Sequence, residues 1–444
     1  MSWRPPSRLL VVGLGRSGIA AARLAVADGA EVWATDRRRE GELAESLRQL
    51  PEGTRTFLEG HPEEALEGVG GLVVSPGVAA GTPLITAARG RGLPVWTEAE
   101  FAWLHRPDDD LVAVTGSNGK STVTVLTAEI LSASGRHARA GGNLGTPASE
   151  LVLDGGWDAW VLELSSFQTE ILTAMRPRVA VFLNVSEDHL ERHRGMAAYL
   201  DAKRRLFAYQ IESDHAVLNA DDPLVAATAT RARRHTFSSG GPADATVDEG
   251  ALLLRGALLM QADELGLTGA HNIANALAAS LAASCLGADA GAARSVLRGF
   301  LGLEHRHRTV HEAGGVRWID DSKATNVGAT LAALRGYGDG GVRLILGGLG
   351  KDQDFAALRD EVARAAAAVY LIGADAERIA GALAGAVRLE RCGTLEVAVA
   401  RARAAAAPGE VVLLAPACAS FDQFSGFAER GDRFAALARG EGVA

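Results

Sequence analysis

The segment Thr115–Thr122 combines glycine, lysine and hydroxyl residues at a spacing typical of a phosphate-binding loop. It follows the apolar run 111–114 and precedes a segment of helical period. Its two glycines let successive backbone N–H groups turn inward, and a helix N-terminus adds its positive dipole end. Lys120 can reach the terminal phosphates, and Ser121 can offer a hydroxyl to magnesium. We therefore predict a triphosphate site, although Val114 replaces the first glycine of the longer G-x-x-x-x-G-K-[ST] form.

Two downstream segments offer ligands for the magnesium ion that accompanies a triphosphate. Glu163 ends the apolar run 159–162, and His189 lies just beyond the apolar run 179–182. The carboxyl ends of parallel strands meet at one edge of a sheet, so these side chains are expected near Lys120. Taken singly, Glu163 could be a satisfied buried acid and His189 a surface residue. Their coincidence at strand ends favours metal binding.

A second glycine-rich loop stands near the N-terminus. Gly13, Gly15 and Gly18 follow an apolar run, and Asp36 ends the next run 18 residues after Gly18. This spacing fits a dinucleotide-binding fingerprint, and an NAD-dependent dehydrogenase is therefore one alternative. A dehydrogenase has no need of a second, triphosphate-binding loop with magnesium ligands, which favours an ATP-dependent enzyme.

Short apolar runs alternate with turns and helix-period segments along the whole chain, which predicts an α/β fold with parallel sheets covered by helices on both faces. We expect three domains, at 1–98, 99–303 and 304–444, with a β-insertion at 236–268 in the middle one. The three domains would be an N-terminal Rossmann-like domain, a central P-loop ATPase-type domain and a C-terminal Rossmann-like domain.

Composition limits the possible partners. Forty-five lysines and arginines against 54 acidic residues leave a formal net charge of -9 in 444 residues, so no global basic field favours nucleic acid. The 3 cysteines are far apart in the sequence and predict neither a disulfide framework nor a zinc site. No uninterrupted apolar run is long enough to insert into a membrane. We expect a cytoplasmic protein and a monomer.

Several motifs together carry a resemblance to one family. The sequence is similar to the Mur ligases of peptidoglycan synthesis over nearly its whole length, in the phosphate loop, 141–143, 163–168, Asn184, 187–189, Lys203, 271–275, 304–306, 320–326 and 416–424. The last two motifs point to the member that adds D-glutamate. The resemblance implies an ATP-dependent ligase that joins D-glutamate to UDP-N-acetylmuramoyl-L-alanine through an acyl phosphate. A sister ligase that adds a different amino acid is the other alternative.

The resemblance also implies roles for residues in the middle and C-terminal domains. ATP would be bound by Gly116, Ser117, Asn118, Gly119, Lys120, Ser121, Thr122, Asn275, Arg306 and Asp321. Two Mg²⁺ ions would be held by Ser121, Glu163, His189 and Lys203. Lys203 matches a lysine that the family carbamylates, whereas the residues alone favour an ordinary helix-surface lysine. Lys120, His189 and Lys203 are the expected catalytic residues.

The remaining implied residues bind the two other substrates. The UDP-substrate would be held by Gly15, Arg16, Ser17, Asp36, Arg38, Ser75, Gly77 and Asn143. D-glutamate would be bound by Thr325, Lys351, Ser420 and Phe427. Two departures from the family pattern stand nearby: Arg308 occupies a usually acidic position, where a local ion pair is expected to rearrange, and Leu349 occupies a position where some relatives have Asp.

Overall fold

The computed structural model describes residues 3–188, 190–193, 195–267, 269–350 and 353–441. The chain divides into two compact units. The first contains Met1–Val185, Arg192–Asp263 and Ala274–Leu297. The second contains Arg298–Ala444 with the short segments Ser186–Glu191 and Glu264–Ile273. The domain boundaries predicted after residues 98 and 303 stay predictions. Within the described part of the chain, every helix is too short or too polar to cross a lipid bilayer.

The first sheet of the first unit has five parallel strands in the order β3-β2-β1-β4-β5. Its strands are β1 Arg8–Val12, β2 Glu31–Thr35, β3 Arg55–Phe57, β4 Leu72–Val74 and β5 Val95–Thr97. Its helices are α1 Arg16–Ala27, α2 Ala44–Gln49, α3 Pro83–Gly90 and α4 Glu98–His105. The central strands β1 and β4 are almost wholly apolar and buried, because helices cover both faces of the sheet.

The second sheet of the same unit has nine strands in the order β14-β13-β12-β11-β10-β9-β6-β8-β7. They are β6 Asp110–Thr115, β7 Ala138–Gly142, β8 Ala159–Glu163, β9 Val179–Phe182, β10 His215–Asn219, β11 Arg233–Ser238, β12 Ala245–Asp248, β13 Ala251–Leu254 and β14 Ala257–Gln261. Neighbours pair in parallel from β7 to β12, and β12, β13 and β14 then pair antiparallel. The β-insertion expected at 236–268 therefore extends the parallel sheet rather than forming a separate one.

The helices around this sheet are α5 Lys120–Ala133, α6 Ala148–Asp154, α7 Ser166–Thr169, α8 Leu190–His193, α9 Met196–Arg204, α10 Pro223–Ala226, α11 Ala270–Cys285 and α12 Ala290–Gly299. One hydrophobic core contains side chains from both sheets of the first unit. Trp96 comes from β5 of the first sheet, Phe101 from α4, and Leu111 and Trp160 from β6 and β8 of the second sheet. The two sheets are therefore packed together through α4 and its neighbours.

The second unit contains a six-stranded sheet in the order β15-β16-β20-β17-β18-β19, parallel except for the β15–β16 pair. Its strands are β15 Arg308–Ala313, β16 Val316–Asp320, β17 Val342–Gly347, β18 Ala366–Ile372, β19 Leu389–Gly393 and β20 Val411–Leu414. Its helices are α13 Val327–Leu334, α14 Arg359–Ala365, α15 Ala376–Ala382, α16 Leu395–Ala405 and α17 Phe427–Ala438. In the two units together, short 3₁₀ helices occur at Glu40–Leu43, Glu63–Leu66, Arg205–Phe207, Ala262–Glu264 and Phe355–Leu358.

The expected α/β fold with predominantly parallel sheets is confirmed.

Candidate active site

Two glycines set the backbone conformation of the loop between β6 and α5. Gly116 and Gly119 have φ values of 156° and 83°, a region that favours glycine. A Cβ atom on Gly119 would lie 2.4 Å from Oδ1 of Asn275 in α11, so a larger residue would displace that side chain. Asn275 therefore packs directly on the loop at Gly119.

Asn184, which follows β9, fixes the same loop from the other side. Its Oδ1 accepts from the Asn118 backbone N–H at 2.9 Å, and its Nδ2 donates to the Asn118 carbonyl at 3.1 Å. The Ser117 N–H donates to the Asn184 carbonyl at 3.0 Å. Sequence analysis gave Asn184 no role of its own, although its place directly after a buried strand was a usable signal.

Ser121 and Glu163 meet at the start of α5 and the end of β8, as the sheet-edge argument predicts. The Ser121 hydroxyl donates to Oε2 of Glu163, and Nδ2 of Asn143 donates to Oε1 at 2.7 Å. Ser121 and Glu163 are only 2% and 3% exposed. A buried carboxylate beside a hydroxyl is a set of hard oxygen donors, which fits Mg²⁺ better than a softer ion.

Two lysines contact the carbonyl groups of the loop. Lys120 Nζ donates to the carbonyls of Gly116 and Ser117, each at 2.9 Å. Lys203 Nζ donates to the Gly116 carbonyl at 2.8 Å and lies 4.5 Å from the centre of the Tyr199 ring. Because Lys203 is only 1% exposed, its interpretation as a helix-surface lysine is wrong.

His189 lies outside the described residues, so its predicted metal contact is not described. The nearby His193, at the end of α8, is buried. Its Nε2 lies 2.9 Å from the Ser166 hydroxyl, and its ring stacks on Phe167 with 5.5 Å between centroids. The His193 ring also lies 5.3 Å from the ring of Tyr199 in α9, the helix that carries Lys203. His193 was not among the predicted site residues.

A cavity of about 430 Å³ opens at the carboxyl edge of the first sheet. It brings together all the residues predicted for the UDP-substrate: Gly15, Arg16, Ser17, Asp36, Arg38, Ser75, Gly77 and Asn143. His61 and Arg37 also line it and were missed by sequence analysis. His61 follows β3, whose carboxyl end lies at the same edge, and that position was the available signal.

Asp36 is the acidic residue among those that line this cavity. Burial alone would raise its pKa, but hydrogen bonds from the Arg38 side chain and from the backbone N–H groups of Arg38 and Leu14 outweigh burial and lower the pKa to about 2. The Arg38 guanidinium contacts both carboxylate oxygens, at 3.0 and 2.8 Å. Asp36 is therefore a carboxylate at neutral pH, with one face held by Arg38.

Close packing fixes the glycine-rich loop of the cavity. A Cβ atom on Gly18 would lie 2.0 Å from the Gly13 carbonyl oxygen, and one on Gly13 would lie 2.9 Å from Val78. The Ser75 hydroxyl donates to the same Gly13 carbonyl at 2.7 Å. The loop after β1 and the loop after β4 therefore form one continuous wall.

In the second unit, the predicted residues follow adjacent strands. Thr325 lies after β16 and Ser420 after β20, and these strands pair in parallel. Ser420 is buried, and Phe427 begins α17, where its ring lies 3.9 Å from Lys323 Nζ. Lys351, after β17, lies outside the described residues.

Asp321 and Arg306 lie in the loops around β15 and β16 of this unit. Oδ2 of Asp321 is 3.5 Å from Nδ1 of His307, and both Arg306 and Asp321 are partly exposed. Near them, a hydrogen bond with Asp320 raises the pKa of His305 against the effect of burial. Arg308 is 3.7 Å from Glu304, an exposed ion pair at the position where a rearranged pair is expected. Leu349 is exposed and exchanges two backbone hydrogen bonds with Ala419.

Comparisons with known proteins agree with this architecture. Residues 7–97 match the Mur ligase MurD-like N-terminal domain, 114–283 the Mur ligase middle domain, and 305–418 the Mur ligase glutamate ligase domain. The chain belongs to the Mur ligase family. UDP-N-acetylmuramoylalanine–D-glutamate ligases of Anaeromyxobacter dehalogenans and Myxococcus xanthus are 45% and 43% identical to it, and each alignment covers 97% of both chains.

Solved structures of Mur ligases share the fold. The UDP-N-acetylmuramate–alanine ligase of Thermotoga maritima superposes with a TM-score of 0.63 at 19% identity, covering 98% of this chain and 99% of the other. The MurF ligase of the same organism, in complex with ADP, gives a TM-score of 0.61 at 19% identity, covering 99% and 95%. The dehydrogenase alternative gains no support from these matches.

Proposed function

We propose that the protein is an ATP-dependent ligase that forms the amide bond between UDP-N-acetylmuramoyl-L-alanine and D-glutamate. One observation carries the proposal: Asn143 lines the 430 Å³ cavity and also donates a hydrogen bond to Glu163 beside the phosphate loop. A nucleotide substrate in the cavity could therefore extend its far end toward the γ-phosphate of ATP. The named relatives, with up to 45% identity over nearly their whole length, support D-glutamate over another amino acid.

The cavity suits the UDP part of such a substrate. The backbone of the loop after β1 and the N-terminus of α1 offer N–H donors to a diphosphate. The Asp36 carboxylate, fixed by Arg38, is an acceptor suited to a ribose or uracil N–H or O–H group. Ser75 and Gly77 complete the wall on the opposite side.

The reaction that we propose activates a carboxylate, which is a poor electrophile in water. The alanyl carboxylate attacks the γ-phosphorus of ATP, and the bond between this phosphorus and the β,γ-bridging oxygen breaks. An acyl phosphate and ADP form. The amine of D-glutamate then attacks the acyl carbon, loses a proton and displaces inorganic phosphate. Lys120, released from the loop carbonyls, would balance the charge on the transferred group, as fixed cations do in phosphoryl transfer.

The donor atoms fit the magnesium ions that the family implies. Ser121 and Glu163 would hold one ion, and His189 with a carbamylated Lys203 would hold the second. Bound Mg²⁺ neutralises phosphate charge and orients the phosphoryl group. Burial of Lys203 against the Gly116 carbonyl supports a role at the site, because an amine so deep in the protein needs a specific partner.

We assign D-glutamate to the loops after β16, β17 and β20, with Thr325, Lys351, Ser420 and Phe427 as its binding residues. Two carboxylates call for a cation with hydroxyl and backbone donors, and these loops carry that combination. In the same proposal, Asn275, Arg306 and Asp321 contact the nucleoside of ATP. The protein would act as a monomer in the cytoplasm, where ATP and both other substrates are available.

The deciding experiment measures phosphate release from ATP with UDP-N-acetylmuramoyl-L-alanine and a panel of amino acids. We expect release that depends on all three substrates and prefers D-glutamate. Lys120→Ala should reduce kcat by at least ~100-fold with an unchanged unfolding temperature, because charge stabilisation in the transition state is lost. Preference for another amino acid would assign the chain to a sister ligase, and turnover by Lys120→Ala would remove the loop from the mechanism.

A second experiment tests the carbamate on Lys203. Lys203→Ala should lose most of its activity, and added formate or acetate should restore part of it by supplying the missing carboxylate. Lys120→Ala is the matched control, because Lys120 contacts the same Gly116 carbonyl as Lys203. Its expected role is that of a cation, which a carboxylate cannot replace. Equal responses of the two variants to acetate would contradict the carbamate.

A further inference from the structure

Three metal-ligating side chains meet on the second sheet, apart from the phosphate loop and the cavity. His215 begins β10, His235 lies in β11, and Cys285 ends α11. A donor atom from each lies within 4.8 Å of the other two. Neither the proposed ligase reaction nor the family comparison uses these residues. The three residues are 20 and 50 positions apart, unlike the closely spaced cysteines from which a zinc site can be predicted in a sequence.

Strand register accounts for the meeting of the two histidines. β10 and β11 are parallel, with His215 opposite Arg233 and His235 opposite Val217. His215 and Val217 are two residues apart and point to the same face, so His235 points there too. Nδ1 of His215 lies 2.9 Å from Nε2 of His235, which requires that one ring donate to the other. The end of α11 then brings Cys285 to that face.

We propose that His215, His235 and Cys285 form a binding site for Zn²⁺ or a similar thiophilic divalent ion. Imidazole nitrogens and a thiolate are both ligands of zinc, and three protein ligands leave the fourth tetrahedral position to water. With Zn–N and Zn–S bonds of about 2.1 and 2.3 Å, tetrahedral ligand atoms lie about 3.3–3.6 Å apart. The present separations of up to 4.8 Å need only small side-chain movements to reach that geometry.

The two imidazoles are in the protonation state that a metal requires at neutral pH. Burial is the largest cause that lowers the pKa of both His215 and His235; His235 and then arginines add to it at His215, and Arg255 adds to it at His235. Both imidazoles are therefore neutral and have lone pairs to donate. Burial raises the pKa of the Cys285 thiol to about 11. Metal binding therefore releases the thiol proton, and the proton between the two imidazoles moves to a ring nitrogen that does not bind the ion.

The charges around the cluster set its affinity. Arg178, Arg233 and Arg255 act on it as cations, and Asp244 as an anion. Arg255 also donates to Sγ of Cys285 at 3.8 Å, which favours the thiolate. The net positive surroundings weaken attraction for a divalent ion, so a thiolate is needed to bind it. Hard ions such as Mg²⁺, which bind sulfur poorly, are excluded from this site.

A bound ion would link β10 and β11 to the far end of the helix that carries Asn275. Ten residues, about 15 Å of helix, separate Asn275 from Cys285. The ion would therefore stabilise the folded chain without touching the phosphate loop. We expect metal binding to raise the unfolding temperature and to leave turnover unchanged.

Cobalt(II) is the probe that tests the site, because a cobalt–thiolate bond gives a charge-transfer absorption that oxygen ligands do not. Titration of the full-length protein with Co²⁺ should produce this band, and an equivalent of Zn²⁺ should remove it. Cys285→Ser should abolish the band, and His235→Gln should weaken binding more than ~10-fold. Cys392→Ser is the matched control, as a substitution of another cysteine, and should leave the titration unchanged.

The remaining outcomes decide against the site. Absence of the band at Co²⁺ concentrations well above that of the protein would overturn the proposal. A band that survives in Cys285→Ser would assign the thiolate to another cysteine and would also overturn it. Zn²⁺ should raise the unfolding temperature of the native chain and of Glu163→Gln, but not of Cys285→Ser. Because this readout needs no ATP, it is independent of the proposed ligase activity.

Discussion

Asp36 shows how one side chain can be kept charged inside a protein. Three hydrogen-bonding groups offset its burial, so its carboxylate is retained far below neutral pH. The same contacts hold its orientation, because Arg38 occupies both oxygens from one side. A fixed, ionised acceptor in a cavity of this size favours recognition of a polar ring or ribose over an apolar ligand.

Replacement of Asp36 therefore tests the cavity at the scale of one residue. In Asp36→Asn, the ion pair with Arg38 and the charged acceptor are both lost, and we expect the KM for the UDP-substrate to rise ~10-fold or more. The KM for ATP should change little, because the phosphate loop is untouched. Steady-state phosphate release at varied concentrations of each substrate measures both.

Glu31→Gln is the control for that experiment. Glu31 lies at the opposite end of the same strand, where it is exposed and paired with Arg8. Exposed ion pairs contribute little to stability, so Glu31→Gln should behave as the native protein. If Glu31→Gln raised the KM for the UDP-substrate as much as Asp36→Asn does, the rise in KM would come from a disturbed strand β2 and not from a lost contact in the cavity.

At the scale of elements, two glycines in the turn from β1 into α1, Gly15 and Gly18, have different roles. Gly18 lies against the Gly13 carbonyl, whereas a Cβ atom on Gly15 would have no atom within 4 Å. Gly15 also has an ordinary φ of -81°. Gly18 is therefore needed for packing of the helix, and Gly15 leaves space in the cavity.

Alanine at each position should separate these roles. Gly18→Ala overpacks the turn, and we expect it to lower the free energy of unfolding by about 2 kcal/mol or more. Gly15→Ala should leave the free energy of unfolding within ~0.5 kcal/mol of the native value but raise the KM for the UDP-substrate, because its methyl group enters the cavity. Urea denaturation and kinetics measure the two effects, and a stable Gly18→Ala would contradict the packing argument.

Much of the fold at this scale could be predicted from sequence. Buried apolar runs such as 111–114, 179–182 and 411–414 are strands, because parallel sheets bury both faces of each strand. The ends of two other buried strands, β8 and β2, led to Glu163 and Asp36. The contacts of Asn184, His61 and Lys203 could not be predicted, since they depend on how distant loops pack.

At the scale of the whole molecule, two buried acids help to join the sheets of the first unit. Glu98 and Glu100 begin α4, directly after β5. Oε1 of Glu98 accepts from the Ser149 N–H of α6 at 2.6 Å, and Glu100 accepts from the backbone around Thr173. Oε2 of Glu98 has no hydrogen-bond partner among the described residues.

Glu98 gives the stability of this unit a dependence on pH. Burial raises its pKa from 4.5 to about 7, so the folded chain retains a proton that the unfolded chain has lost. The contribution of this proton to the free energy of unfolding is fully present below pH 4.5 and is lost as the pH rises through 7. The free energy of unfolding falls by about 3 kcal/mol over that range. Urea denaturation from pH 5 to 8 should therefore show a fall in stability that is smaller in Glu98→Gln than in the native chain.

Glu52→Gln is the reference for this series, because Glu52 is exposed in a turn. It should follow the native pH profile. A Glu98→Gln profile parallel to that of the native chain would mean that Glu98 is ionised throughout, with a cation or water compensating its burial.

The wall of the 430 Å³ cavity includes the main chain at Gly13, Gly15 and Gly77. An inhibitor that hydrogen-bonds to these peptide groups would bind main-chain atoms, which remain in place when a side chain is substituted. Substitution at Gly13 would disturb the turn itself, as its contact with Val78 requires. Arg37 and His61 line the same cavity. Their side chains can be substituted without a change in these peptide groups, so contacts with them are the ones to avoid in the design of the compound.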